Sequence, residues 1–217
     1  MDVAVIDIDG TLLDSNYHHA IAWSRAFAHV GHDVAVWRIH RHIGMGGDRL
    51  VAAVAGQVVE DRDGDSIRER WEKEYDELID QTRLLDGAAE LLDGLRDAGL
   101  QVVLASSSIP RHADHALRLL DAEHRAAAWT TSEDVEESKP DPELIDRALD
   151  KVGAAPADAL MIGDTVWDVL PANERAMPTI GLLCGGFGRD ELLDAGARAT
   201  YDDPRDLLDH LGDALDL

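Results

Sequence analysis

The run Val3-Ala4-Val5-Ile6-Asp7-Ile8-Asp9-Gly10-Thr11-Leu12 constrains this chain more than any other segment. It is short, rich in branched apolar residues and stopped by a glycine, the pattern of a strand buried on both faces of a parallel sheet. Two carboxylates one residue apart at its carboxyl end fall where open α/β sheets take up ligands. Like charges buried there are costly unless a cation or a shared proton offsets them. Taken alone, the same residues could be a strand followed by an acidic turn.

After Thr11 the periodicity becomes helical. Trp23, Phe27 and Val30 recur at helical spacing, as do Leu50, Val54 and Val58, and Ile67, Trp71, Tyr75 and Leu78. Val36, Ile39 and Ile43 mark a shorter helix. No strand pattern interrupts residues 16 to 82, and Gly31, Gly44-Met45-Gly46-Gly47 and Asp61-Arg62-Asp63-Gly64 read as loops. From about Asp86 helices and strands alternate. Strands are expected at Val102–Ala105, Ala126–Thr130, Ala159–Ile162, Thr179–Leu183 and Ala199–Tyr201. Helices are expected at 88–98, 111–121, 142–152, 167–176, 189–194 and 207–215. This alternation predicts an α/β fold, a Rossmann-like parallel sheet covered by helices, with an inserted all-helical cap. The expected division is a core of residues 1–14 and 85–217 and a cap of residues 15–84.

Three more polar clusters follow expected strands: Ser106-Ser107-Ser108, Lys139-Pro140-Asp141, and Gly163-Asp164-Thr165 with Asp168. In a parallel sheet all carboxyl ends share one edge, so these groups converge with Asp7 and Asp9. Each has an ordinary structural role in isolation: the serines and Asp164 as helix caps, Asp168 as a first-turn carboxylate, Lys139 as a solvated cation.

The chain carries a formal net charge of −24, with only Lys73, Lys139 and Lys151 as lysines. Such a charge disfavours nucleic acid and anionic membranes as partners. A phosphorylated substrate would need a metal or a local cation to be accepted. Cys184 is the only cysteine, which excludes an internal disulfide and suits a reducing, cytoplasmic setting. The first strand begins close to Met1, so no signal peptide is expected, and no apolar run approaches a membrane span.

Taken together, Asp7-Ile8-Asp9-Gly10-Thr11, Ser106, Lys139, and Gly163-Asp164 with Asp168 resemble the four motifs of the haloacid dehalogenase superfamily, in its phosphatase and phosphomutase branch. The resemblance spans essentially the whole chain, the inserted helices included. It implies that Asp7 is a nucleophile forming an aspartyl-phosphate and that Asp9 is the general acid and base. It implies Mg2+ as cofactor, held by Asp7, the Asp9 carbonyl and Asp164, with Asp168 supporting the metal's water shell. Ser106 and the Ser107 amide would hold phosphoryl oxygens, and Lys139 would neutralise charge on Asp7 and the phosphoryl group. Thr11 either closes the turn or acts directly. By similarity to β-phosphoglucomutases, His19 and Arg49 of the inserted helices would face the substrate, beside a mobile specificity loop at the glycine run.

The remaining histidines are expected in solvent. His40 and His42 could pair on a metal but lack a third ligand. Cys184 reads as a small buried residue and Gly185-Gly186-Phe187-Gly188 as a flexible loop. The implied activity is Mg2+-dependent hydrolysis of a small phosphomonoester. A phosphomutase is the alternative within the family, and Gly163 where those relatives carry glutamate favours the phosphatase. A non-enzymatic phospho-receiver would lack the inserted helices and would carry its aspartate on a later strand. Position 18 is His18 rather than the glutamate that a calcium loop counted from Asp7 requires.

Overall fold

The computed structural model describes residues 1–216. Its strands are β1 (Val3–Asp7), β2 (Gln101–Ala105), β3 (Ala128–Thr130), β4 (Ala159–Gly163), β5 (Thr179–Leu182) and β6 (Ala199–Tyr201). They form one sheet in the order β3-β2-β1-β4-β5-β6, every pair parallel. All five residues of β1 are buried, because this strand lies inside the sheet with helices over both faces.

Strand alternation sorts the core into two layers. Ala4 and Ile6, with Leu104, Leu160 and Ile162, face α5 (Ala88–Asp97), α6 (Pro110–Leu119) and α11 (Pro204–Asp209). Val3 and Val5, with Val103 and Met161, face α8 (Glu143–Asp150) and α9 (Val166–Glu174). Each fully buried aliphatic side chain there contributes about 1.5–3 kcal/mol. The remaining core helices are α7 (Ala122–Arg125), α10 (Arg189–Ala195) and α12 (Leu211–Leu215).

Between β1 and β2 the chain makes α1 (Asn16–His29), α2 (Val36–His40), α3 (Gly47–Ala55) and α4 (Gln57–Asp76). These helices bury their own cluster, centred on Trp23, Phe27, Leu50, Val51, Val54 and Ile67. Among the described residues, no helix is long and apolar enough to cross a membrane.

Several local expectations give way to tertiary packing. Asp61–Gly64 is helical rather than a loop, lying inside α4. Gly64 is buried, and a Cβ there would come within 2.6 Å of Glu60 and 2.9 Å of Arg68, whose side chains are ion-paired alongside it. The glycine makes room for that pair instead of ending the helix. Val58 does not continue the Leu50–Val54 face. Gly56, at φ +90°, turns the chain between α3 and α4 and leaves Val58 exposed. The single helix expected at 207–215 is interrupted at His210, and the one at 111–121 ends at Leu119 before α7.

Candidate active site

The two chain directions across the sheet diverge at β1, with β2 on one side and β4 on the other. Asp7 ends β1, and Asp164 directly follows β4 on the neighbouring strand. The crevice at such a switch point is where open α/β sheets bind ligands. Asp168 enters from the first turn of α9, where its Oδ2 accepts from the Thr165 amide at 3.1 Å and the Thr165 hydroxyl at 2.8 Å. Lys139 arrives from the segment between β3 and α8. Its ammonium donates to Asp7 Oδ1 and, at 2.6 Å, to Asp168 Oδ1.

Asp164 accepts from Thr11 Oγ1 and from Asn16 Nδ2, each at 2.7 Å. The glycines around it are steric requirements. At Gly10, φ is +85° and a Cβ would run into Asn16 and Asp164; at Gly185 a Cβ would overlap Asp164 Oδ2. Burial raises the Asp7 pKa to about 7, with the Asp168 and Asp9 charges adding and Lys139 opposing. Burial, with the Asp168 and Asp7 charges, pushes Asp164 well above the usual carboxylate range. Lys139, although buried, is held protonated by Asp168 and Asp7.

Asp7, Asp164 and Asp168 each offer an oxygen within 4.8 Å of the others. Three buried carboxylates against one lysine leave excess negative charge, and the donors are hard oxygens. That set fits a small divalent cation such as Mg2+. It is the only such group of metal-ligating side chains among the described residues, so His40 and His42 form no site.

The Asp9 carboxylate is not part of that trio. It accepts from Ser15 Oγ at 2.6 Å and Ser108 Oγ at 2.8 Å, and His19 Nε2 lies 3.2 Å from it. These partners hold Asp9 below its ordinary range despite burial. His19 stacks on Tyr75, ring centroids 3.8 Å apart, and Trp71 stacks on Trp23 at 4.7 Å. An aromatic array from α1 and α4 therefore roofs the carboxylates.

Beneath this roof a cavity of about 40 Å3 touches Asp7, Asp9, His19, Ser107 and Ser108. A chamber of about 260 Å3 adjoins it, sharing Gly46, Gly47, Trp71 and Ser107 in its lining and reaching Lys139. The structure thus gathers Asp7, Asp9, His19, Ser107, Lys139, Asp164 and Asp168. Ser106 is buried beneath, its hydroxyl accepting from the Ser108 amide at 3.1 Å. Arg49 sits beside the chamber without lining either cavity, its guanidinium paired with Glu137.

Ser108, Ser15 and Asn16 are partners the sequence reading did not single out. Ser108 sat in view within the serine triplet. Ser15 occupies the N-cap position of α1 yet makes no cap bond and serves Asp9 instead. Two histidines expected in solvent are buried. His40 bonds the Gly185 carbonyl at 3.0 Å, and His112 packs edge-on to Tyr75 and Trp71 with Nε2 2.8 Å from Asp76. Both lie where the inserted helices meet the core, a contact no single-helix pattern reveals. His115 is half-buried, 3.3 Å from the Thr82 hydroxyl. Cys184 is partly buried against the Gly10 carbonyl at 3.2 Å, and burial pushes its thiol up, away from nucleophilic character.

The family model described as haloacid dehalogenase-like hydrolase matches residues 1–174, and a second HAD-hydrolase-like model matches residues 137–214. The chain is similar to a hydrolase of known structure from Pseudomonas syringae. They are 36% identical with a TM-score of 0.92, over 98% of this chain and 99% of that one. It is 28% identical to N-acetylmuramic acid 6-phosphate phosphatase of Pseudomonas aeruginosa, over 99% of this chain and 96% of the relative. It is also 28% identical to phosphoglycolate phosphatase of Agrobacterium fabrum, over 84% of this chain and 81% of the relative.

Proposed function

The chain belongs to the haloacid dehalogenase-like hydrolases, and from that premise we propose that it is a Mg2+-dependent phosphatase of a small phosphomonoester, acting through an aspartyl-phosphate on Asp7. The observation that carries this reading is the meeting of Asp7, Asp164 and Asp168 around Lys139 at one sheet edge. The names of the relatives, phosphatases of small phosphorylated compounds, support it.

Asp7, Asp164 and the Asp9 carbonyl would hold Mg2+, with Asp168 behind them. When bound, the ion supplies positive charge against the phosphoryl oxygens and the carboxylates. Lys139 holds one Asp7 oxygen and orients the other for attack on phosphorus. The Asp7 oxygen–phosphorus bond forms as the ester oxygen–phosphorus bond breaks, and Asp9, which must first gain a proton against the pull of its donors, passes it to the departing alkoxide. Water then attacks the aspartyl-phosphate and returns a proton to Asp9, releasing phosphate and restoring Asp7. Such acid–base help is worth roughly 10²–10⁴-fold. The donors around Asp9 suit the second half, in which it must be anionic. Ser107, at the junction of the two cavities, and Ser106 would position phosphoryl oxygens.

Residues 15–84 act in this reading as a cap that excludes bulk water from a core formed by residues 1–14 and 85–217. His19 lies in the cap beside Asp9, and Arg49, also in the cap, is paired with Glu137 next to the chamber. The partner is a small phosphorylated metabolite, and the single thiol fits a cytoplasmic setting.

The test is phosphate release from a panel of esters with and without Mg2+, alongside Asp7→Asn. Metal-dependent release that is lost in Asp7→Asn, with acid-stable phosphoprotein trapped in the native chain only, is the expected result. Metal-independent turnover, or full activity in Asp7→Asn, would falsify it.

A further inference from the structure

The chamber next to the carboxylates carries information about the alcohol half of the substrate. We infer that the ester this site takes has a hydroxylated, monosaccharide-sized leaving group bearing no negative charge. This rests on the phosphatase reading and goes further by naming the substrate class.

Size comes first. The chamber's 260 Å3 corresponds to about nine liquid waters, far more than a two-carbon acid would fill. Because it shares Trp71, Ser107, Gly46 and Gly47 with the small cavity at Asp7, a group seated in it is continuous with the phosphoryl position.

Charge comes second. The two cations on its wall are both engaged. Arg68 donates to both Glu60 oxygens, at 2.9 and 3.0 Å, to Asp65 at 2.8 Å and to the Gly47 carbonyl at 3.2 Å. Lys139 is held between Asp7 and Asp168. Nearby Arg49 is taken by Glu137. The wall also presents Asp48, Glu72 and Glu136. Glu72 has Arg111 at 3.3 Å and Asp48 has Arg49 at 3.9 Å, whereas the Glu136 carboxylate has no ion-pair partner among the described residues. A carboxylate on the leaving group would find no free cation and would meet like charge.

Hydrogen bonding comes third. Trp71 Nε1 and Ser138 Oγ belong to chamber-lining residues, are buried, and lack any partner. Orphaned polar groups of this kind are uncommon in folded proteins and costly to leave unpaired. Both atoms are shut off from the chamber as it stands, and a small turn of each side chain toward it would let hydroxyls of a bound alcohol accept from the indole N–H and exchange a bond with the serine. Trp71, held by its stack on Trp23, also contributes apolar surface to the chamber wall.

The experiment uses the full chain with Mg2+ and compares kcat/KM for glucose 6-phosphate, glucosamine 6-phosphate, 6-phosphogluconate, phosphoglycolate and p-nitrophenyl phosphate. The expected result is that the neutral and amino sugar esters exceed both carboxylate-bearing esters by about tenfold or more. Glu136→Lys should narrow that ratio several-fold by placing a cation on the wall. Ser138→Ala should lower kcat/KM for the preferred sugar ester without lowering the thermal unfolding midpoint. Equal or better turnover of 6-phosphogluconate or phosphoglycolate overturns the inference and leaves the phosphatase reading intact. No turnover of any ester, p-nitrophenyl phosphate included, overturns both.

Discussion

Lys139 Nζ donates to Asp168 Oδ1 across 2.6 Å while also bonding Asp7, with only 2% of the lysine side chain and 1% of the Asp168 side chain exposed. One buried cation thus joins the end of β1 to the first turn of α9. The pair cannot be judged alone, because Asp164 makes a third carboxylate in the same space. Buried charges balance only when every one is paired, and here one positive group answers three negative ones.

Removing the cation should therefore be severe. Lys139→Met is expected to destabilise the metal-free protein by about 3–5 kcal/mol, because it leaves buried carboxylates uncompensated. Chemical denaturation in EDTA measures this. Added Mg2+ should restore part of the loss in stability and none of the turnover. An unchanged denaturation midpoint would mean that the carboxylates are protonated in the native protein.

Removing one negative charge should have the opposite sign. Burial and its neighbours raise the Asp164 pKa, so the ionised side chain is held at a cost. Asp164→Asn keeps the shape and lets the new amide bond Thr11 and Asn16. The variant is expected to unfold at a higher temperature than the native chain in EDTA, and to lose most of the thermal shift that Mg2+ gives. A lower midpoint in EDTA would contradict the charge assignment.

Two buried groups give stability opposite dependences on pH. Asp7 has a folded pKa of about 7 against its ordinary 3.8. Its contribution is present in acid and is lost as pH rises from about 4 to about 7 in the metal-free protein. Mg2+ needs the ionised form, so the stabilisation it confers should grow over the same range. His112 is shifted down from its ordinary 6.5, chiefly by burial. Its contribution is present above 6.5 and is lost as pH falls below it. Unfolding curves of Asp7→Asn and His112→Gln, each subtracted from the native chain's, separate the two slopes.

Gly185 is a position where one methyl group should matter. A Cβ would overlap Asp164 Oδ2, and the Gly185 carbonyl is held by Asn16 at 3.1 Å and His40 at 3.0 Å, so the backbone has little room to retreat. Gly185→Ala should displace Asp164 and reduce kcat by about 10²-fold, with weaker Mg2+ dependence. Gly212→Ala, on a glycine with nothing near its missing Cβ, is the control and should be silent. Native kinetics in Gly185→Ala would show that Asp164 tolerates the shift.

The pattern of alternating helices and strands, and the polar cluster after each strand, were legible in the sequence. Parallel strands must place their carboxyl ends on one edge, so Asp7, Lys139 and Asp164 could be brought together from order alone. What the sequence left open depends on which surfaces meet. Gly64 looks like a loop residue until its helix packs and the Glu60–Arg68 pair crosses it. Arg49 looks free until Glu137 arrives from 88 residues away. His112 looks solvated until Tyr75 and Trp71 cover it. Ser108 looks like a helix cap until Asp9 is placed within its reach. Periodicity encodes which face of an element is buried, whereas pairing and protonation follow from the distances between elements distant in the chain, which tertiary packing alone sets.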